Sequence, residues 1–319
     1  MKVQEIFDLA LKVGMKSDPR GSKGVKEYLE RVKKEYENMK PADKKYFNKN
    51  LLSNPYPDSH IHASGGKETV KRVMAGIDIG PAELLVASQL EERGKTVDLV
   101  IAHHPVGLGL ANLHVVMDMQ IEIFVNAGVP VHIAEKIMEE RIKEVGRGVH
   151  PANHDRVTDI AKLLKINLIN THTMTDNLVT EFLNKHLAKR NPKTVSDLVD
   201  ALLEIPEYQE AKKRGAGPNL FTGSPNHKVG KYLVEMTGGT SPSDKIYEEL
   251  SRFGVSTIVG MHMRDTGREK AGDHHMNVVI AGHMASDSLG MNLFLDELEK
   301  KGIEIVPCSG LMRVSRVKK

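Results

Sequence analysis

The sequence predicts an α/β protein with a layered α/β/α fold, built as two interlinked βα halves behind an N-terminal helical extension. Three observations carry that expectation. From residue 70 onward short apolar runs alternate with helical patterns, the rhythm of a largely parallel sheet. Gly215, Gly217, Pro218, Gly223 and Pro225 interrupt the rhythm midway. Two distant segments, 166–178 and 277–289, repeat one design of apolar strand, histidine, aspartate and helix.

Taken in order, residues 1–66 read as the extension, with helical spacing over 4–13 and 25–36 and breaks at Pro41 and Asn54-Pro55-Tyr56-Pro57. Its lysines and glutamates fit a solvated face. His60 and His62 fall in what reads as an exposed loop, Asp58-Ser59-His60-Ile61-His62, outside any site. Strand 70–79, helix 81–93 with Pro81 in its first turn, and strand 97–102 follow. Helices are expected over 110–126, 134–145 and 155–164, then strand 166–171 and a helix to about 188. Residues 191–225 read as a helical connector, with helical pieces near 195–203 and 207–213. Beyond it come strand 228–236, helix 243–252 and strands 256–261 and 278–281, then helix 286–300 and strand 303–306. The expected organisation is therefore an extension, 1–66, and one α/β domain, 67–319, with halves of about 67–190 and 226–319.

Composition narrows the classes of function. The chain has 319 residues, 40% apolar and 27% charged, enough for a real core and ordinary for a soluble globular protein. A net charge of +3 does not support a nucleic-acid partner. No apolar run approaches membrane-spanning length, and Lys2, Glu5, Asp8 and Lys12 interrupt any signal-peptide pattern, so a cytoplasmic location is expected. Fifteen histidines against one cysteine favour nitrogen and oxygen ligands over thiolates. Cys308 alone can form no internal disulfide.

The stretch Asp98-Leu99-Val100-Ile101-Ala102-His103-His104-Pro105 runs an apolar strand into two histidines and a proline. Ligands bind outside the carboxyl ends of such strands. The repeated segments supply His172 with Asp176 and His283 with Asp287, each aspartate four residues after its histidine. Either aspartate alone could simply cap a helix. Three strand ends together supply four imidazoles and two carboxylates, a donor set suited to Zn²⁺, Mn²⁺ or Fe²⁺. That exceeds the need of one four-coordinate ion, and two ions sharing a carboxylate fit the count. His262 also ends a strand, while His274 and His275 fit a helix C-terminus. Thr237-Gly238-Gly239-Thr240-Ser241 fits either a phosphate loop or a capped glycine turn.

With D-L-V-I-A-H-H-P at 98–105, H-T-M-T-D-N at 172–177 and G-H-M-A-S-D at 282–287, the sequence resembles the Nif-three-like dinuclear metal-binding family. Members of that family are often described as GTP cyclohydrolase 1 type 2 homologues. The resemblance covers roughly residues 68–310 and leaves the extension outside the family's core pattern. It implies His103, His104, Asp176, His283 and Asp287 as ligands of two divalent ions per chain, with His172 standing behind them. The family usually has Glu where this chain has Asp287, one methylene shorter. The implied function is a metal-dependent hydrolase acting through a metal-bound hydroxide on a small molecule, such as a nucleotide or phosphoester. His172 and His262 are the expected proton carriers, and a homohexamer the expected assembly. The alternative is a non-catalytic metal-binding or regulatory oligomer.

Overall fold

The computed structural model describes residues 1–318. Among the described residues nine strands form two sheets: β1 (Ile61–Ala63), β2 (Arg72–Gly76), β3 (Leu99–Ala102), β4 (Leu168–Asn170), β5 (Asn219–Thr222), β6 (Lys231–Glu235), β7 (Val255–Gly260), β8 (Asn277–Ile280) and β9 (Glu304–Cys308). The first sheet has the order β1-β4-β3-β2-β9 and the second β5-β8-β7-β6. Each is parallel except for one antiparallel edge strand, β1 against β4 and β5 against β8. Apart from the additional strand β9, the two sheets thus repeat one topology, and the repeat in the sequence is a repeat of architecture.

Burial explains the strand compositions. Leu99, Val100, Ile101 and Ala102 are all fully buried, because helices cover both faces of a parallel sheet and leave no polar side to alternate. The layers run α/β/α/β/α, so that two α/β/α sandwiches share a central pair of helices, His172–Arg190 and His283–Glu299. Met174, Met291, Phe294 and Leu295 of this pair join the core of the first sheet. Val179, Leu183, Ala285 and Leu289 join the core of the second. Apolar on opposite faces, these helices lack a single stripe of the usual amphipathic kind. Among the described residues, no helix is long and apolar enough to cross a membrane.

The N-terminal residues belong to this core. Helix Val3–Lys16 sets Val3, Ile6, Phe7 and Ala10 among Val73, Leu99, Ile101 and Met174. Behind it, Arg20 donates to both carboxylate oxygens of Asp18, and Tyr56 and Asn177 complete a buried polar network.

Several expectations change. The segment read as an exposed loop at 58–62 forms β1 in its second half, so His60 is buried and bonds Pro57 O through Nε2 at 2.8 Å. His62 Nε2 lies 2.8 Å from Asn170 Oδ1. Pairing with a partner more than a hundred residues away leaves no local signal, so a three-residue strand has no signature in the sequence around it. The expected helix over 110–126 is three shorter ones, Gly107–Ala111, Leu113–Val116 and Met119–Asn126. The connector region also contains β5, and the last strand, β9, returns to the first sheet beside β2. The sheets therefore cross the sequence boundary at 226, and the division into an extension and two halves stands as a proposal about domains.

Candidate metal centre

The candidate centre lies at the carboxyl ends of β3, β4 and β8. The backbone ladder continues past β3, with His103 N bonded to Gly76 O at 2.9 Å and His104 N to Ile77 O at 3.0 Å. This holds both histidines at the sheet edge before Pro105 ends the pairing. His172 and His283 are the first residues of the two central helices, so Asp176 and Asp287 lie one turn later on the same face. That position is past the turn where an acid caps a helix. The capping explanation for these aspartates fails on geometry.

The outer face of each ring is held. Thr175 Oγ1 donates to the carbonyls of Thr171 and His172, so at 3.0 Å it accepts from His103 Nδ1–H. Asp78 Oδ1 accepts from His104 Nδ1 at 2.7 Å, and Asp58 Oδ2 from His172 Nδ1 at 2.8 Å. In its neutral form each of these three rings therefore carries its proton on Nδ1 and turns Nε2 inward.

The inward atoms converge on two carboxylates. His103 Nε2 is 3.5 Å from Asp176 Oδ1 and 3.5 Å from Asp287 Oδ1. His104 Nε2 and His283 Nε2 lie 3.3 Å and 3.5 Å from the other oxygen, Asp287 Oδ2. His172 Nε2 is 3.8 Å from Asp176 Oδ2. These separations exceed good hydrogen-bond lengths. The four made by His103, His104 and His283 match the donor-to-donor edge of roughly 3.3–3.5 Å around a tetrahedral ion with bonds of about 2.0–2.2 Å, and that of His172 is a little longer. His103 Nε2, Asp176 Oδ1 and both Asp287 oxygens are buried without any hydrogen-bond partner. Buried polar atoms are rarely left orphaned, and four facing one another fit a cation. Two triads, His103–His172–Asp176 and His103–His104–Asp287, each bring donor atoms within 4.8 Å of one another.

Electrostatics agree with a centre in want of positive charge. Burial drives His103 down to about 4 despite the charge of Asp287, and burial also lowers His283. Neutral imidazole is the form that binds metal. Burial opposes charge on His104, yet Asp287 and Asp78 lift it to about 9. Burial raises the Asp176 carboxyl well above its usual range, and the charges of Asp287 and Asp58 add to the shift. Asp287 resists its own burial because His103, His104 and His283 hold it well below that range.

A cavity of about 260 Å³ opens onto the cluster, lined among others by His104, His172, Asp176, Glu235, Ser241 and His262. His262 Nδ1 lies 3.1 Å from Ser241 Oγ, its ring meets that of His283 with centroids 4.6 Å apart, and burial lowers it to about 4. Gln120 Nε2 donates to Gly238 O and Thr240 O, fixing the 237–241 loop as one wall. All seven residues expected at the site thus gather at one place. His274 and His275, at the end of helix Asp265–Asp273, take no part.

No protein-family model and no curated protein sequence matches the chain. Among solved structures it is similar to a NIF3 superfamily protein from Sphaerobacter thermophilus, with a TM-score of 0.74 and 26% identity over 98% of this chain and 99% of that one. The chain belongs to the NIF3 superfamily. A 98% match leaves only a handful of residues outside, so the first 66 residues, expected to stand apart, are shared with this NIF3 relative. A second solved structure, TTHA1606 from Thermus thermophilus, is 17% identical over 84% of this chain and 94% of that one, with a TM-score of 0.48.

For this NIF3 protein, sequence reasoning missed the residues behind the rings. Asp78 follows β2, and the strand-end rule that selected His103 would have found it too. Asp58, Thr175 and Ser241 carried no comparable signal, since their partners are set by tertiary contact.

Proposed function

We propose that this protein binds two divalent metal ions through His103, His104, Asp176, His283 and Asp287 and is a metal-dependent hydrolase of small molecules. One observation carries the reading: the two orphaned oxygens of Asp287 face separate groups, Oδ1 toward His103 and Oδ2 toward His104 and His283. A carboxylate so placed suits a bridge between Zn²⁺, Mn²⁺ or Fe²⁺ ions. Bound there, such ions supply Lewis acidity and make water a nucleophile near neutral pH.

The protein's own groups do the rest. The 260 Å³ cavity has room for a small molecule beside the cluster. His262 is the proton carrier, since Ser241 orients its ring at the cavity wall and burial keeps it neutral near pH 7. His172, expected to share that task, has one nitrogen on Asp58 and the other toward Asp176. The cyclohydrolase chemistry implied by resemblance, phosphoester hydrolysis, the homohexamer and the cytoplasmic location belong to the same proposal.

Metal analysis and turnover test it together. Two ions per chain are expected, with hydrolysis of at least one member of a nucleotide and phosphoester panel, abolished in His103→Ala/Asp176→Ala. Wild type equal to that variant across the panel leaves a non-catalytic metal-binding protein. No uptake of Zn²⁺, Mn²⁺ or Fe²⁺ removes both readings. Light scattering checks the assembly, for which a sixfold mass is expected.

A further inference from the structure

Asp58 lies far from the expected site in sequence and was assigned no role by its residue type or spacing. In the structure it is completely buried, 114 residues from the histidine it touches. Its Oδ2 accepts from His172 Nδ1 at 2.8 Å and from Thr173 Oγ1 at 2.6 Å, while Ser59 Oγ donates to Oδ1 at 3.2 Å. The neighbouring backbone is tied to the same turn: Asn170 Nδ2 donates to Asp58 O at 2.7 Å, and His172 N donates to Ser59 Oγ at 3.0 Å. The whole 58–59 corner is thus clamped onto the end of β4 and the start of the helix that carries Asp176.

A buried carboxylate on Nδ1 does two things to an imidazole. It selects the tautomer with the proton on Nδ1, and it stops the ring from turning. The free Nε2 of His172 then points where Asp176 Oδ2 lies, 3.8 Å away, with the His103 ring centroid 5.0 Å distant. On the other side of the cluster Asp78 also accepts from a ring Nδ1, that of His104, but its carboxylate is exposed.

We infer that Asp58 is a positioning residue that fixes His172 as a ligand of one metal position, with His103 and Asp176, so that the N-terminal segment completes the site. The inference rests on the two-ion reading above. It assigns the other position to His104 and His283, with Asp287 between them, and that position does not depend on Asp58.

Co²⁺ titration followed by visible absorption tests this with a readout other than activity. Wild type is expected to take up two Co²⁺ per chain. Asp58→Asn keeps the side-chain shape and removes the charge, and is expected to weaken one position about 10–100-fold, alter its absorption bands and leave the other unchanged. Asp78→Asn is expected to weaken the opposite position. An Asp58→Asn isotherm and spectrum that superimpose on wild type overturn the inference while the two-ion reading stands. Equal weakening of both positions overturns it in favour of general loosening of the fold. Wild type that takes up no Co²⁺ overturns the two-ion reading and the inference with it. Should Asp58→Asn not fold, ¹⁵N NMR of histidine-labelled wild type decides. The His172 ring, identified by its loss in His172→Gln, is expected as the Nδ1–H tautomer, and an Nε2–H tautomer overturns the inference.

Discussion

Asp287 replaces the glutamate usual in the family the sequence resembles, and a shorter carboxylate must be carried closer to its partners. The two central helices meet that need. At Gly290, one turn beyond Asp287, an added Cβ would lie 2.4 Å from Thr175 O, so the backbones nearly touch there. Asp287→Asn keeps the shape but loses the charge facing three imidazoles. Elemental analysis after metal loading is expected to find fewer than one ion per chain in that variant. Glu235 offers a separate test at this scale. Burial raises its carboxyl from an ordinary 4.5 to about 8, and a hydrogen bond from Tyr247 offsets only part of the shift. The folded protein then holds a proton that the unfolded chain has released. Stability attached to this group is full below pH 4.5 and is lost as pH rises through about 8. Glu235→Gln is therefore expected to match wild type in denaturant melts near pH 4.5. By pH 8.5 it should exceed wild type by about 2 kcal/mol, a value reduced for the carboxyl's contact with a solvent cavity. A difference independent of pH would contradict the assignment.

The decisive elements are the paired helices His172–Arg190 and His283–Glu299, each opening on a histidine with an aspartate one turn on. Their crossing sets the distance between Asp176 and Asp287, and Gly290 sets their crossing. Gly290→Ala has no room, because the atom it would strike is a backbone carbonyl. Destabilisation of about 1–3 kcal/mol is expected in urea melts, with weaker metal uptake as the helices separate. The same change at exposed Gly148, where an added Cβ meets nothing within 4 Å, should leave metal uptake intact.

At the scale of the whole molecule, two sheets of matching topology share one helix layer, so neither has a complete core alone. The N-terminal helix is part of that arrangement. Ile6 is fully buried beside residues of β2 and β3, and Ile6→Ala is expected to cost about 2–4 kcal/mol in denaturant melts. A change below about 0.5 kcal/mol, within the range of surface substitutions, would mean that residues 1–66 are dispensable to the core.

By itself the sequence determined the α/β class, the positions of β2, β3, β4, β6, β7, β8 and β9, and the histidines and aspartates that gather at strand ends. All of these are local signals: apolar runs, helical periodicity, and polar residues where a run stops. It also displayed the repeat of His172 with Asp176 in His283 with Asp287, because that repeat is spelled out in residue types. Tertiary structure alone decided what has no local signature. The strands β1 and β5 are short edges defined only by their partners, and β9 crosses back to the first sheet. Asp58 is matched to His172 by packing across the chain, not by spacing. A hydrogen bond between residues 114 apart is written in no window of sequence, yet it determines which nitrogen of the ring faces the site.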